Sequence, residues 1–146
     1  PVRDAIAGAR AKLGDLSKAS ARPVAMFWMG LDEGGGLIEA LLADPGHLGY
    51  RGAVIGAMGG GHTPERATET VYRLARTIPT VIAPRAGGGP LLRQTYGGPS
   101  SEIALRKAGV IWGGRLHPVK ARVLLECCLR AGMSREAIAE VFDPFG

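Results

Sequence analysis

Four times along this chain a short apolar run is followed by a glycine-rich corner and then by apolar residues at helical spacing. This cycle limits the fold more than any other feature. Val24-Ala25-Met26-Phe27-Trp28-Met29 follows Pro23 and precedes Gly34-Gly35-Gly36, and Leu37, Ile38, Leu41 and Leu42 then repeat at helical spacing until Asp44-Pro45-Gly46. A short, wholly apolar run bounded by Pro and Gly suits a strand buried on both faces, as in a parallel sheet. The second cycle is Gly52-Ala53-Val54-Ile55, the corner Gly59-Gly60-Gly61, and a helix over 64–77. Thr63 is its expected N-cap, Pro64 suits the first helical position, and Glu65 faces the positive end of the helix dipole. Ala67, Val71, Leu74, Ala75 and Ile78 form its inner stripe.

Thr80-Val81-Ile82-Ala83 reads as the third strand, and residues 84–99 as a long glycine-rich loop of the kind usually kept for a purpose. Ser100 or Ser101 can cap a helix reaching Lys107, and Gly109-Val110-Ile111-Trp112 is the fourth strand. His117-Pro118 opens a further helix with Val119, Val123, Leu124, Cys127 and Cys128 on its expected inner face, ended by Gly132, and Ser134 caps a last helix with Ile138, Val141 and Phe142. Strands alternating with helices, joined by right-handed crossovers, predict an α/β fold. The expected class is a small three-layer, Rossmann-like (flavodoxin-like) domain over 23–146, with a four-stranded parallel sheet and helices on both faces. Residues 1–22 show only a weak helical spacing (Val2, Ile6, Ala9, Leu13) and read as a linker or interdomain segment.

Composition narrows the function classes. Glycine and proline together supply 33 of 146 residues, which disfavours a long-helix bundle. The net charge of +5 comes from arginines scattered over helices with Glu neighbours, so a solvated surface explains it better than a nucleic-acid patch. No apolar run reaches membrane-spanning length, and no secretory signal pattern follows Pro1. Neither nucleic acid nor membrane is an expected partner, and the expected compartment is the cytoplasm. Cys127 and Cys128 are adjacent and read as a reduced pair facing the core, and with three scattered histidines they match no zinc spacing. No metal and no cofactor are expected.

In sheets of this kind ligands bind beyond the C-terminal strand ends, which points to the loops at 57–63, 84–99 and 113–117. Gly59-Gly60-Gly61-His62-Thr63-Pro64 sets bare backbone, an imidazole and a hydroxyl at a helix N-terminus, where an anion or carboxylate is favoured. It is not a dinucleotide fingerprint, since Pro64 stands where a third glycine would be needed, and no P-loop is present. Ser100-Ser101 lacks the elbow of a hydrolase nucleophile.

The succession 52–64 (Gly-Ala-Val-Ile-Gly-Ala-Met-Gly-Gly-Gly-His-Thr-Pro), 79–85 (Pro-Thr-Val-Ile-Ala-Pro-Arg), Tyr96, 108–114 (Ala-Gly-Val-Ile-Trp-Gly-Gly) and 118–125 (Pro-Val-Lys-Ala-Arg-Val-Leu-Leu) resembles the C-terminal domain of L-asparaginases. It is also similar to the asparaginase-like subunit of tRNA-dependent amidotransferases, and the resemblance runs from about Pro23 to Phe142. It implies a two-domain amidohydrolase whose N-terminal catalytic domain carries two threonines, an Asp and a Lys. No segment here is similar to Thr-Gly-Gly-Thr-Ile or Asp-Gly-Thr-Asp-Thr, so the chain alone is expected to be inactive, with no catalytic residue of its own.

What the resemblance implies for this half is twofold: it builds a homodimer or dimer of dimers, and it lends residues that hold the α-amino group of L-asparagine or a related amide. The substrate-binding set is His62, Glu102, Gly61 and Thr63. His62 stands where many family members have Asn, and Pro84-Arg85-Ala86-Gly87 replaces a turn rich in Thr and Ser or containing Cys. Two readings from other classes compete: a stand-alone Rossmann-like module for a small anion or nucleotide, and a dimerisation domain with no ligand of its own.

Overall fold

Alternating small and branched apolar residues sort themselves onto the two faces of one parallel sheet, in a computed structural model that describes residues 2–146. The strands are β1 (Val24–Trp28), β2 (Gly52–Ala57), β3 (Thr80–Pro84) and β4 (Ile111–Trp112), hydrogen-bonded in the order β1-β2-β3-β4 and parallel throughout. Between them lie the helices α2 (Gly36–Ala43) and α3 (Pro45–Leu48), α4 (Glu65–Thr77) and α5 (Glu102–Lys107). These crossovers step in one direction across the sheet, so right-handed connections put them all on one face. There Ile38, Leu41, Val71, Leu74 and Leu105 pack against Ala25, Ala53, Ile55, Ile82 and Trp112.

The opposite face is covered by α6 (Pro118–Arg130), α7 (Arg135–Phe142), the 3₁₀ turn Asp143–Phe145 and α1 (Val2–Leu13). Ala121, Leu125, Cys128, Ile138, Phe142 and Phe145 meet Val24, Val54, Val81, Ala83 and Ile111. The expected α/β sheet with helices on both faces is therefore observed. Each fully buried Leu or Ile of these layers contributes about 1.5–3 kcal/mol of transfer free energy. Within the stretch read as a linker, α1 places Ala5 and Ala9 in the core against the C-terminal helices.

Several local expectations need correction. β1 is an edge strand, with Met26 36% and Trp28 45% exposed, so it is not buried on both faces; Trp28 lies instead across its register partner Gly56. The segment at Asp44-Pro45-Gly46 ends α2 but leads directly into the short α3. Pro64, without a side-chain cap, occupies the N-cap of α4, because the Thr63 hydroxyl is turned inward to Thr68 Oγ1 at 3.1 Å. On α6 the inner stripe is Ala121, Leu125 and Cys128, while Val119 and Val123 are about half exposed.

Other signals are realised as expected: Ser101 and Ser134 accept from Ala104 and Ala137 N–H as N-caps, and His117 accepts from Val119 N–H. Both cysteines are free, Cys127 partly and Cys128 fully buried. Burial, with a smaller effect of Cys127, pushes the Cys128 thiol up to about 12, so it stays protonated at neutral pH. Among the described residues no helix is long and apolar enough to cross a membrane.

Candidate functional site

The site forms where the loops after β2 and β3 meet beyond the C-terminal ends of their strands. After β2 the chain closes a tight turn: Gly61 and His62 N–H both donate to Met58 C=O at 3.0 Å, and Met58 N–H donates back to His62 C=O at 3.1 Å. Such closure needs glycine, and Gly61 has φ +114°, a conformation side-chain-bearing residues avoid. A Cβ on Gly61 would lie 2.8 Å from Trp112 Cζ2, and one on Gly60 would collide with the Leu92 side chain. The bare backbone of this corner thus makes room for Trp112 and Leu92. Leu92 N–H donates to Gly60 C=O at 2.7 Å and Leu91 N–H to Gly114 C=O at 3.0 Å, which ties the long 85–101 loop to both neighbouring corners.

Anchored in this way, the loop delivers Glu102 to His62. Ser101 caps α5 and fixes where Glu102 enters the helix. The Glu102 side chain is fully buried, with Oε1 accepting from Thr95 N–H at 2.5 Å and Tyr96 N–H at 2.8 Å, and Oε2 lying 3.2 Å from His62 Nε2. Burial alone pushes this carboxyl up. The N–H groups of Tyr96, Thr95 and Glu102 itself, with His62, outweigh that and hold it below the usual carboxylate range. His62 is 29% exposed in its side chain, and the Tyr96 ring stands edge-on to it with centroids 5.0 Å apart.

The sign of the resulting pH dependence follows from linkage. A folded-state value depressed below the unfolded one means that the unfolded chain binds more protons across that interval. Glu102 therefore contributes stability that is present above the unfolded value and lost as pH falls through the folded one. Urea titrations at stepped acidic pH are expected to show a stability loss that is smaller in Glu102→Gln. Parallel curves for the two proteins would contradict it. Asp15, Glu39 and Glu136 are also held low by local hydrogen bonds, so the difference between the two curves, rather than the wild-type curve, isolates Glu102.

Of the four residues singled out from sequence, the structure brings together His62 and Glu102. Gly61 shapes the corner beneath them, and Thr63 is buried with its hydroxyl on Thr68. Sequence reasoning missed Thr95, whose contribution is a backbone N–H and leaves no side-chain signal. A groove of about 770 Å³ lies along the free edge of β4, lined by Arg93, Arg106, Lys107 and Arg135 among others; it includes neither His62 nor Glu102. Among the described residues no group of three His, Cys, Asp or Glu is placed to hold a metal ion.

Comparison with known proteins places this geometry in context. The family described as glutaminase/asparaginase C-terminal domain matches residues 24–142. A probable L-asparaginase from Deinococcus radiodurans is 38% identical over 91 residues, covering 62% of this chain and 27% of that protein. The crystal structure of a probable cytoplasmic L-asparaginase from Campylobacter jejuni superposes with a TM-score of 0.68 at 24% identity, covering 84% of this chain and 35% of that one. That structural likeness concerns the fold. The chain spans about a third or less of the length of either relative.

Proposed function

This chain belongs to the glutaminase/asparaginase C-terminal domain family, and from that premise we propose that it is the substrate-positioning half of an L-asparaginase-like amidohydrolase. In the whole protein, L-asparagine is hydrolysed to L-aspartate and ammonia. A threonine hydroxyl on polypeptide outside this chain attacks the side-chain amide carbon, the C–N bond breaks as the nitrogen gains a proton and leaves as ammonia, and water releases the acyl group. What these 146 residues contribute is orientation, with His62 and Glu102 at the α-amino end of the substrate and Gly61 and Thr63 shaping the corner that holds them. Alone, the chain is inactive.

The observation that supports this most directly is the contact between His62 and a fully buried, ionised Glu102 across 40 residues of sequence, at the sheet end where both loops converge. A buried carboxylate with four supporting groups is costly to build and rarely serves packing alone. The name of the Deinococcus radiodurans relative supports the amide substrate, and that of the Campylobacter jejuni protein a cytoplasmic setting. Residues 1–22 serve as the interdomain connector. Pairing into a homodimer, or a dimer of dimers, would use the apolar side chains left open on β1 and α6: Met26, Trp28, Val119 and Val123. The competing small-anion module gains no support from the glycine corner, where Leu92 and Trp112 fill the space at Gly60 and Gly61.

Ammonia release from L-asparagine tests the reading. The full-length protein is expected to be active and this chain inactive; a full-length protein that leaves L-asparagine intact refutes it. In the active protein His62→Ala is expected to raise KM by about tenfold, the order of one hydrogen bond to a charged group, with a smaller change in kcat. An unchanged KM would remove His62 from the substrate.

A further inference from the structure

We propose that the free edge of β4 is a docking groove for a partner polypeptide, which adds there as a fifth strand whose alternate residues are acidic. The proposal is independent of the amide reading above, since the groove includes neither His62 nor Glu102. β4 ends the sheet, and Gly113 N–H donates to Ile82 C=O at 2.8 Å in the register that sets Trp112 beside Ile82. Along a strand, successive residues turn their N–H and C=O groups to opposite sides. Ile111 and Gly113 therefore face β3, and the main-chain N–H and C=O of Trp112 point to the free edge. Among the described residues neither group has a hydrogen-bond partner. The opposite edge is treated differently: the outward carbonyl of Val24 on β1 accepts from Arg122 Nε at 3.0 Å.

A short strand and nearby charges are also ways of guarding a free edge. Guarding charges would stand on the strand, however, and here Val110, Ile111 and Trp112 are apolar while the charges stand on the flanking elements, which leaves a trough. Its two walls differ. On the α5 side Arg106 and Lys107 are exposed, and neither pairs with a carboxylate among the described residues. On the α7 side Arg135 lies beside Glu136, and Asp143 is taken up by Arg93 at 3.1 Å. An added strand sends successive side chains to opposite faces, so one set meets the two unpaired cations and the other the nearly neutral wall. Acidic residues alternating with apolar ones satisfy both, and main-chain pairing with Trp112 supplies the rest. A second copy of β4 would instead bring like charges together.

The test is fluorescence anisotropy of the labelled octapeptide (Glu-Val)4 with the full-length protein, repeated with the peptide nitrogens methylated at every Glu or at every Val. In an extended alternating peptide all Glu N–H groups point to one side and all Val N–H groups to the other, so strand pairing is expected to reject one methylated peptide and keep the other. Rejection of both, or of neither, overturns the added strand, as does absence of binding at about 1 mM peptide. Charge reversal at two exposed positions, Arg106→Glu with Lys107→Glu, is expected to weaken binding of (Glu-Val)4 about tenfold or more and to admit (Lys-Val)4 in its place. An unmoved affinity puts the peptide elsewhere and overturns the assignment to this groove. A single-stranded RNA octamer that displaces the label as well as unlabelled (Glu-Val)4 does would make this a general polyanion surface, and the proposal would fall.

Discussion

Replacing Gly61 by alanine is expected to lower the stability of this chain by about 3 kcal/mol, the sum of a strained backbone and an overpacked contact. At φ +114° a Cβ is unfavourable in any surroundings, and here it would stand 2.8 Å from Trp112 Cζ2 and 3.0 Å from Cη2. The indole resists displacement, because Trp112 is 94% buried and sits in the same apolar cluster as Leu91. A domain of this size has about 5–15 kcal/mol in total, so the change is a large fraction of it. Gly87→Ala, where a Cβ meets no atom within 4 Å, is the matched control and is expected within about 0.5 kcal/mol of wild type. Urea denaturation of both variants decides the matter; equal midpoints would show that the corner yields.

Phe142→Ala is the second large effect, about 3–5 kcal/mol, because it removes a fully buried ring from the middle of the layer formed by α1, α6 and α7. Phe142 belongs to the same buried cluster as Val81, Ala83 and Ile111 of the sheet. Val123→Ala on α6, half exposed, is expected to cost less than about 0.5 kcal/mol. If thermal denaturation showed a Val123→Ala loss as large as that expected for Phe142→Ala, the outer face of α6 would have been assigned wrongly.

That comparison also shows where sequence was informative and where it was not. The four strands, the helices between them and two serine caps followed from apolar runs, helical spacing and turn residues, which act over a few positions. On α6 the same local pattern misled. Val119 and Val123 form as good a stripe as Ala121, Leu125 and Cys128, and only the close approach of the helix to the sheet selects the stripe that begins with the small residue. β1 looked doubly buried because an apolar run does not reveal that it lies at an edge. At the site, His62 and Glu102 were each visible, yet their contact depends on loop anchors at Leu91 and Leu92, and the donors from Thr95 and Tyr96 are main-chain groups common to nearly every residue type. Thr63 fitted the capping pattern but had a better partner in Thr68, one turn into the helix.

The sequential strand order has one more consequence, for how the chain acquires its structure during synthesis. Every crossover helix on one face is already present when β4 emerges, whereas the other face receives α6 and α7 only from the last thirty or so residues. A nascent chain halted before Pro118 would carry a half-finished sheet, with Val54, Val81, Ala83 and Ile111 bare to water. Such a surface invites chaperones and aggregation until α6 and α7 have emerged and covered it.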